Sequence, residues 1–272
     1  MISLERLSNL LGVLYVTAWS ISVYPPLILN YKLKSSDGLS VDFLYLNNIG
    51  YIALVTSMSL LLYNEQVRQL YFQYHNYYPL LTNIDLIYSS HGLLMNIVTI
   101  SQLYFWGFAK RSTHIRKTTK LIITGVMITM IILSYLCVGT GVDKPYIIPF
   151  TLLDLAIILS YVKIFMSIIK YIPQLSHNYK RKSVVGFSIL TIFLDLTGGI
   201  LSILQLFIDS YIMTGSLKFD ILINNSGKLG LSFVTLFFDG CFIYQWLIYE
   251  KNVDKSLKLP LDIYTKSEEA LA

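Results

Sequence analysis

Seven stretches of this chain are so long and so apolar that a lipid bilayer is their natural solvent. They run Leu10–Leu29, Phe43–Tyr63, Ile84–Phe108, Leu121–Val142, Tyr146–Tyr171, Val184–Ile212 and Leu229–Tyr249. Each supplies the roughly 20 residues needed to cross a hydrocarbon core. A backbone in lipid must satisfy its own hydrogen bonds, and none of these stretches reads as a barrel strand, so all seven are expected to be helices. The charged fraction agrees: 14% of 272 residues, where a soluble domain carries about 25%. The connections are too short for a separate soluble domain, which leaves residues 1–272 as one all-α integral membrane domain.

The net charge of +5 is a topology signal rather than a nucleic-acid footprint. With the N-terminus lumenal, the cytosolic segments hold Lys32, Lys34, Lys110, Arg111, Arg116, Lys117, Lys120, Lys180, Arg181, Lys182, Lys251, Lys255, Lys258 and Lys266. Those 14 face five on the other side, Arg6, Arg68, Lys144, Lys218 and Lys228, while Lys163 and Lys170 lie inside a helix. The bias puts the N-terminus in the lumen and the C-terminus, with a tail over 250–272, in the cytosol. Asn224-Asn225-Ser226 is a glycosylation sequon on the lumenal side, in keeping with that orientation. The first helix is too long for a signal-peptide core and no small-residue cleavage site follows it, so it is expected to stay. Cys137 and Cys241 both fall in apolar runs and read as small buried hydrophobes; the sequence has no disulfide framework and no metal-ligand spacing.

An internal repeat runs at a fixed offset of 148 residues without gaps. Pro25, Asn30, Tyr31, Lys34, Ser35, Gly38, Ser40 and Gly50 recur as Pro173, Asn178, Tyr179, Lys182, Ser183, Gly186, Ser188 and Gly198, and Asn47 is answered by Asp195. An even number of helices separates the copies, so the repeat is parallel. This gives a 3+1+3 plan: a three-helix bundle over 10–108, a linker helix over 121–142 and a second three-helix bundle over 146–249. Transporters built on such repeats bind substrate where the halves meet, near the midplane. Pro25, Pro26 and Pro173 each remove a backbone donor near a helix end and supply a bend for rocking halves, and Gln174 beside Pro173 belongs to the same hinge.

Prolines followed by Asn-Tyr, a basic pair, Ser and Gly-x-Ser resemble the PQ-loop family, although the first copy has Pro-Pro where the family has Pro-Gln. Within that family the chain is similar to the cystinosin-type proton-coupled cystine exporters of lysosomes and vacuoles. The likeness rests on Trp19-Ser20-Ile21-Ser22, Gly38-Leu39-Ser40-Val41-Asp42-Phe43, Leu46-Asn47, Lys170-Tyr171-Ile172-Pro173-Gln174, Leu194-Asp195-Leu196-Thr197-Gly198-Gly199, Lys228-Leu229-Gly230-Leu231 and Phe238-Asp239. It covers about residues 10–250.

Charges inside a membrane helix cost about 2.5–3.5 kcal/mol each on insertion scales and are candidates for function. Asp195 and Asp239 lie mid-helix, and Lys163 and Lys170 are two turns apart and so face the same way. Two cations and two anions suit a zwitterion with two ammonium and two carboxylate groups. An ion pair fixing helix register, or snorkelling of Lys170, would account for the same residues. The resemblance implies a substrate site at Asn47, Lys163, Lys170, Asp195 and Asp239, with proton coupling at Asp85, Asp195 and Asp239. Asp85 reads equally as a residue of a helix N-terminus, His91 more readily as structural, and Asp42 as a helix-start or loop contact. Thr191 stands where animal members have asparagine, and Asp154 has no counterpart in the family pattern.

No nucleophile triad, metalloprotease motif or phosphate loop occurs in a plausible context, so an enzyme has no support in the sequence. The resemblance implies L-cystine and H+ as ligands, the bilayer as environment, no cofactor beyond the coupling proton, and a lysosomal, vacuolar or endosomal membrane. A cationic amino-acid exporter of the same family and a seven-helix receptor or trafficking factor are the competing readings.

Overall fold

The computed structural model describes residues 3–109, 113–139, 150–216, 223 and 225–249. Among them the helices are α1 (Leu4–Ser22), α2 (Tyr24–Leu33), α3 (Val41–Tyr63), α4 (Glu65–His75), α5 (Asn83–Tyr104), α6 (Lys117–Gly139), α7 (Leu152–Arg181), α8 (Ile189–Thr214) and α9 (Ser226–Tyr249). Their starts are set by short polar side chains that accept from otherwise orphaned backbone N–H groups. Ser3, Ser40 and Asn64 do this at α1, α3 and α4, and reciprocal Thr82–Asp85 and Thr151–Asp154 capping boxes do so at α5 and α7. Asp154 therefore has a local role. Asn224 and the tail 250–272 lie outside the described residues.

Among the described residues six helical segments are long and apolar enough to cross a membrane: α1 with α2, α3, α6, α7, α8 and α9. α5 has the length but carries Asp85, Ser89, Ser90, His91, Asn96, Gln102 and other polar residues, which lower its hydropathy. Many of these point inward: Ser89, Asn96, Thr99 and Gln102 are buried.

The repeat is visible in the backbone. Leu4–Leu33 and Leu152–Arg181 are each 30 residues long. Each ends in a Schellman turn on a lysine in the left-handed region, Lys34 (φ 47°) and Lys182 (φ 49°). Ser35 N donates to Asn30 O at 3.2 Å, and Ser183 N to Asn178 O at 3.3 Å. The next turn repeats as well, with Leu39 N to Ser36 O at 3.3 Å and Phe187 N to Val184 O at 2.9 Å. The two loops then touch at their glycines. A Cβ on Gly38 would lie 2.2 Å from the carbonyl of Gly186.

The prolines act differently in the two copies. Pro173 sits inside an unbroken α7, so the fifth apolar helix does not stop at Tyr171 as its sequence suggests but runs ten residues further, until Lys182. Pro25 and Pro26 together remove two consecutive donors, and here the helix breaks at Val23 into α1 and α2. The Ser22 carbonyl freed by Pro26 accepts from the Thr191 hydroxyl at 3.0 Å. The second, third, sixth and seventh segments shift only at their ends, while the expected end of the fourth at Val142 and start of the fifth at Tyr146 lie outside the described residues.

Packing crosses between the copies in a reciprocal way. α1 packs on α8 and α3 on α7; α3 and α1 both contact α5, as α8 and α7 both contact α9. The third helices are matched at an offset of 143 rather than 148. In one copy Asn30 donates to Gln102 (2.9 Å), whose amide donates to Leu27 O (3.2 Å). In the other, Asn178 donates to Gln245 (3.1 Å), whose amide donates to Leu175 O (3.0 Å). The five-residue difference falls where the first copy holds α4, which seats Val67 and Tyr71 against Leu153 and Ala156 of α7. Among the described residues α6 packs on α3 and α7 and leaves Leu121, Ile128, Ile131 and Tyr135 exposed.

Candidate functional site

A cavity of about 120 Å³ lies where α1, α3, α5, α7, α8 and α9 meet. Trp19, Tyr88 and Leu231 separate it from a smaller pocket of about 30 Å³ that contains Asp85 and Lys228. At the opposite end Leu39 lines both this cavity and a wider one of about 350 Å³, which holds His114, Arg116, His177, Lys180 and Arg181.

Asn47, Lys163, Lys170 and Asp195 all line the central cavity. Asp239 is fully buried just beyond it, near enough to Asp195 and Lys170 to interact electrostatically. Among the described residues, none of the four charges is within 4 Å of an opposite partner, so a register-fixing ion pair is not what holds them. Lys163 Nζ instead stands 3.6 Å from the centroid of the Tyr51 ring, a cation–π contact. Lys170 Nζ donates to Asn47 Oδ1 at 2.8 Å and lies 4.6 Å from the Tyr171 ring centroid. At 8% exposure Lys170 is buried and does not snorkel. Asp195 lies beside the Ser22 hydroxyl, and its backbone carbonyl accepts from Trp19 Nε1 at 3.0 Å. Neither oxygen of Asp239 has a hydrogen-bond partner. A buried carboxylate left in that state lacks the compensation that a charged group in a low-dielectric interior requires.

Asp85 divides its two oxygens. Oδ2 closes the capping box, accepting from Thr82 N at 2.8 Å and Thr82 Oγ1 at 2.9 Å. Oδ1 accepts from the Tyr15 hydroxyl and faces Lys228 Nζ at 4.0 Å. Lys228, in the sequence only one cation of a lumenal segment, keeps just 9% of its side chain exposed and also donates to Gln205 Oε1 at 2.6 Å. The offset of 143 pairs Lys228 with Asp85, so the two matched positions of α5 and α9 face one another across the halves. His91 bonds the Tyr24 hydroxyl at 2.9 Å. Asp42 accepts from Arg116 N at 3.0 Å and faces Arg116 Nε at 3.2 Å, a loop contact.

Comparison with known proteins places this architecture. A PQ-loop repeat model matches residues 7–67 and again 155–214. A cystine transporter of Saccharomyces cerevisiae is 39% identical over 94% of this chain and 99% of its own. The chain belongs to the cystinosin family of PQ-loop proteins. A cystinosin homologue of Dictyostelium discoideum is 34% identical over 93% of this chain and 84% of its own. The cystinosin of Bos taurus is 29% identical over 90% of this chain and 64% of its own. With six apolar spans and this membership, the chain is a multi-pass membrane protein.

Proposed function

We propose that the protein exports L-cystine from the lumen of an acidic organelle, lysosome or vacuole with endosome as the next choice, to the cytosol together with protons. The observation that carries the reading is a central cavity bordered by Lys163, Lys170 and Asp195 with Asp239 behind it, in a chain alignable end to end with a cystine transporter. Cystine presents two carboxylates to the lysines and two ammonium groups to the aspartates. Asp239, buried with both oxygens unpartnered, is satisfied by a proton or by a substrate ammonium. Asp85 is the lumenal proton port, because it lines the small pocket that only Trp19, Tyr88 and Leu231 divide from the cavity. Two buried lysines disfavour a purely cationic substrate.

Transport in this reading is alternating access between halves arranged 3+1+3, with α5 as the seventh span and α6 as the linker. The reciprocal α1–α8 and α3–α7 packing supports that arrangement. Contact between Gly38 and Gly186 closes the cytosolic end, and the Tyr15–Asp85–Lys228 cluster closes the lumenal end. The N-terminus is lumenal and the C-terminus cytosolic.

The test is uptake of radiolabelled cystine by the purified protein in liposomes, with and without an imposed pH gradient. Uptake that rises under the gradient is expected. Cystine uptake indifferent to the gradient would remove proton coupling, and uptake of lysine or arginine without cystine would remove the substrate.

A further inference from the structure

Asn47 and Asn96 form an amide pair whose polarity is fixed from both ends. At one end the Lys170 ammonium can only donate, so Asn47 must present Oδ1 to it, at 2.8 Å. Asn47 Nδ2 is thereby turned to Asn96 Oδ1, at 3.0 Å. At the other end the Leu44 carbonyl can only accept, and Asn96 Nδ2 donates to it at 3.2 Å, with Asn48 Oδ1 at 3.3 Å as a second acceptor. Reversing either amide would set donor against donor or acceptor against acceptor. Asn96 is buried, lines the cavity, and through the offset of 143 stands where the second copy has Asp239. The first copy thus carries an amide pair, Asn47 and Asn96, where the second carries Asp195 and Asp239.

We propose that Asn96 is a positioning residue of the transport site: it holds the Asn47 amide so that its oxygen, not its nitrogen, steadies the Lys170 ammonium beside the substrate. The inference rests on the cystine reading given above. Its own content is the direction of the donor chain Lys170 to Asn47 to Asn96 to Leu44 O, and nothing in it requires Asn96 to touch substrate.

Two substitutions separate this role from simple packing. Asn96→Leu keeps much of the volume and cannot hydrogen-bond. Asn96→Asp keeps the shape, and its protonated form keeps an acceptor for Asn47 and one O–H donor for the Leu44 carbonyl, one fewer donor than the amide, whereas the carboxylate only accepts and would face that carbonyl. The titratable groups around the same cavity are Tyr51 on α3, Tyr88 on α5, Lys163, Lys170 and Tyr171 on α7, and Asp195 on α8; α1 and α2 present none to it. Asp239 lies behind it on α9. These groups are common to both variants and the parent, so each variant is read as a ratio to the parent at the same pH.

In cystine exchange at equal pH on both sides, Asn96→Leu should raise KM roughly tenfold, the scale for losing a hydrogen bond to a charged group. Its maximal rate should stay within about twofold. The Asn96→Asp ratio should climb towards parental values as pH falls from 7.5 to 5, while the Asn96→Leu ratio stays flat. A maximal-rate loss with unchanged KM, or the same pH trend in both variants, overturns the proposal. A cryo-EM structure of Asn96→Leu gives a readout free of transport: Lys170 should leave Asn47, and a retained Lys170–Asn47 contact overturns the proposal. A parent that exchanges no cystine would instead count against the function proposed above, and the structural readout would still decide this point.

Discussion

Replacing Gly38 by alanine should push the protein away from the conformation described here. Gly38 and Gly186 meet backbone to backbone, and a Cβ on Gly38 would stand 2.2 Å from both the carbonyl carbon and the oxygen of Gly186. Ordinary contact begins at 3.4 Å, so the loops must part by about 1.2 Å, and no flexible side chain is there to yield. Overpacking of this kind costs about 1–3 kcal/mol, which displaces a two-state equilibrium by roughly 5- to 150-fold. Because the clash exists only while the loops touch, the cost falls on the state in which the Gly38 and Gly186 loops are closed. Spin labels at Lys32→Cys and Lys180→Cys, exposed and related by the repeat, in a background with Cys137 and Cys241 replaced by serine, would report the separation by pulsed electron resonance. Gly38→Ala should move the distance distribution to longer values by several ångströms. Gly125→Ala, with nothing within 4 Å of its Cβ, should leave it in place. A Gly38→Ala distribution identical to the parent's would refute the argument that this contact closes the cytosolic end.

Three further outcomes follow from named contacts. Thr191→Val removes the donor to the Ser22 carbonyl at nearly constant shape, and a loss of about 1 kcal/mol should lower the thermal unfolding midpoint in detergent by a few degrees; an unchanged midpoint would show that Ser22 O has another donor. Asn30→Leu removes the donor to Oε1 of buried Gln102, and Asn178→Leu the donor to Oε1 of half-buried Gln245; each should cost about 1–3 kcal/mol. Unequal losses of more than about twofold in free energy would argue against equivalent clamps in the two halves. Asn224→Gln should abolish a glycosidase-sensitive mobility shift in a eukaryotic host if that segment faces the lumen, and a shift that survives the substitution assigns the glycan elsewhere.

The parts of the fold that were legible in the sequence were those without insertions. Helix pairs one–two and five–six align without a gap, so Pro25 with Pro173, Lys34 with Lys182 and Gly38 with Gly186 stand out at one offset; the two lysines adopt the same left-handed turn, whereas the prolines and the glycines take different backbone conformations in the two copies. The third helices were opaque because α4, an amphipathic segment with Val67 and Tyr71 on its buried face, accompanies a shift of the register by five residues. Allowing that shift would have matched Asp85 with Lys228, Asn96 with Asp239 and Gln102 with Gln245. Of these, sequence reasoning named Asp85 and Asp239, left out Asn96, Gln102 and Gln245, and counted Lys228 only among the lumenal charges. The end of α7 was misplaced for another reason: a single proline inside a packed transmembrane helix costs one hydrogen bond and need not end it, whereas two in succession break α1 from α2. Lys163, Lys170 and Asp195 were legible because a charge in an apolar run has so few alternative explanations. Their partners were not, since rings and an amide rather than opposite charges receive the lysines.

Asp239 of the second half is the group proposed to couple cystine to the proton gradient, and Asp239→Asn tests that coupling most directly. The amide preserves shape but cannot take up a proton as the carboxylate does. Cystine accumulation driven by a pH gradient should vanish in Asp239→Asn liposomes that contain folded protein by size-exclusion profile and thermal midpoint. Accumulation at the parental level under the same gradient would contradict the account.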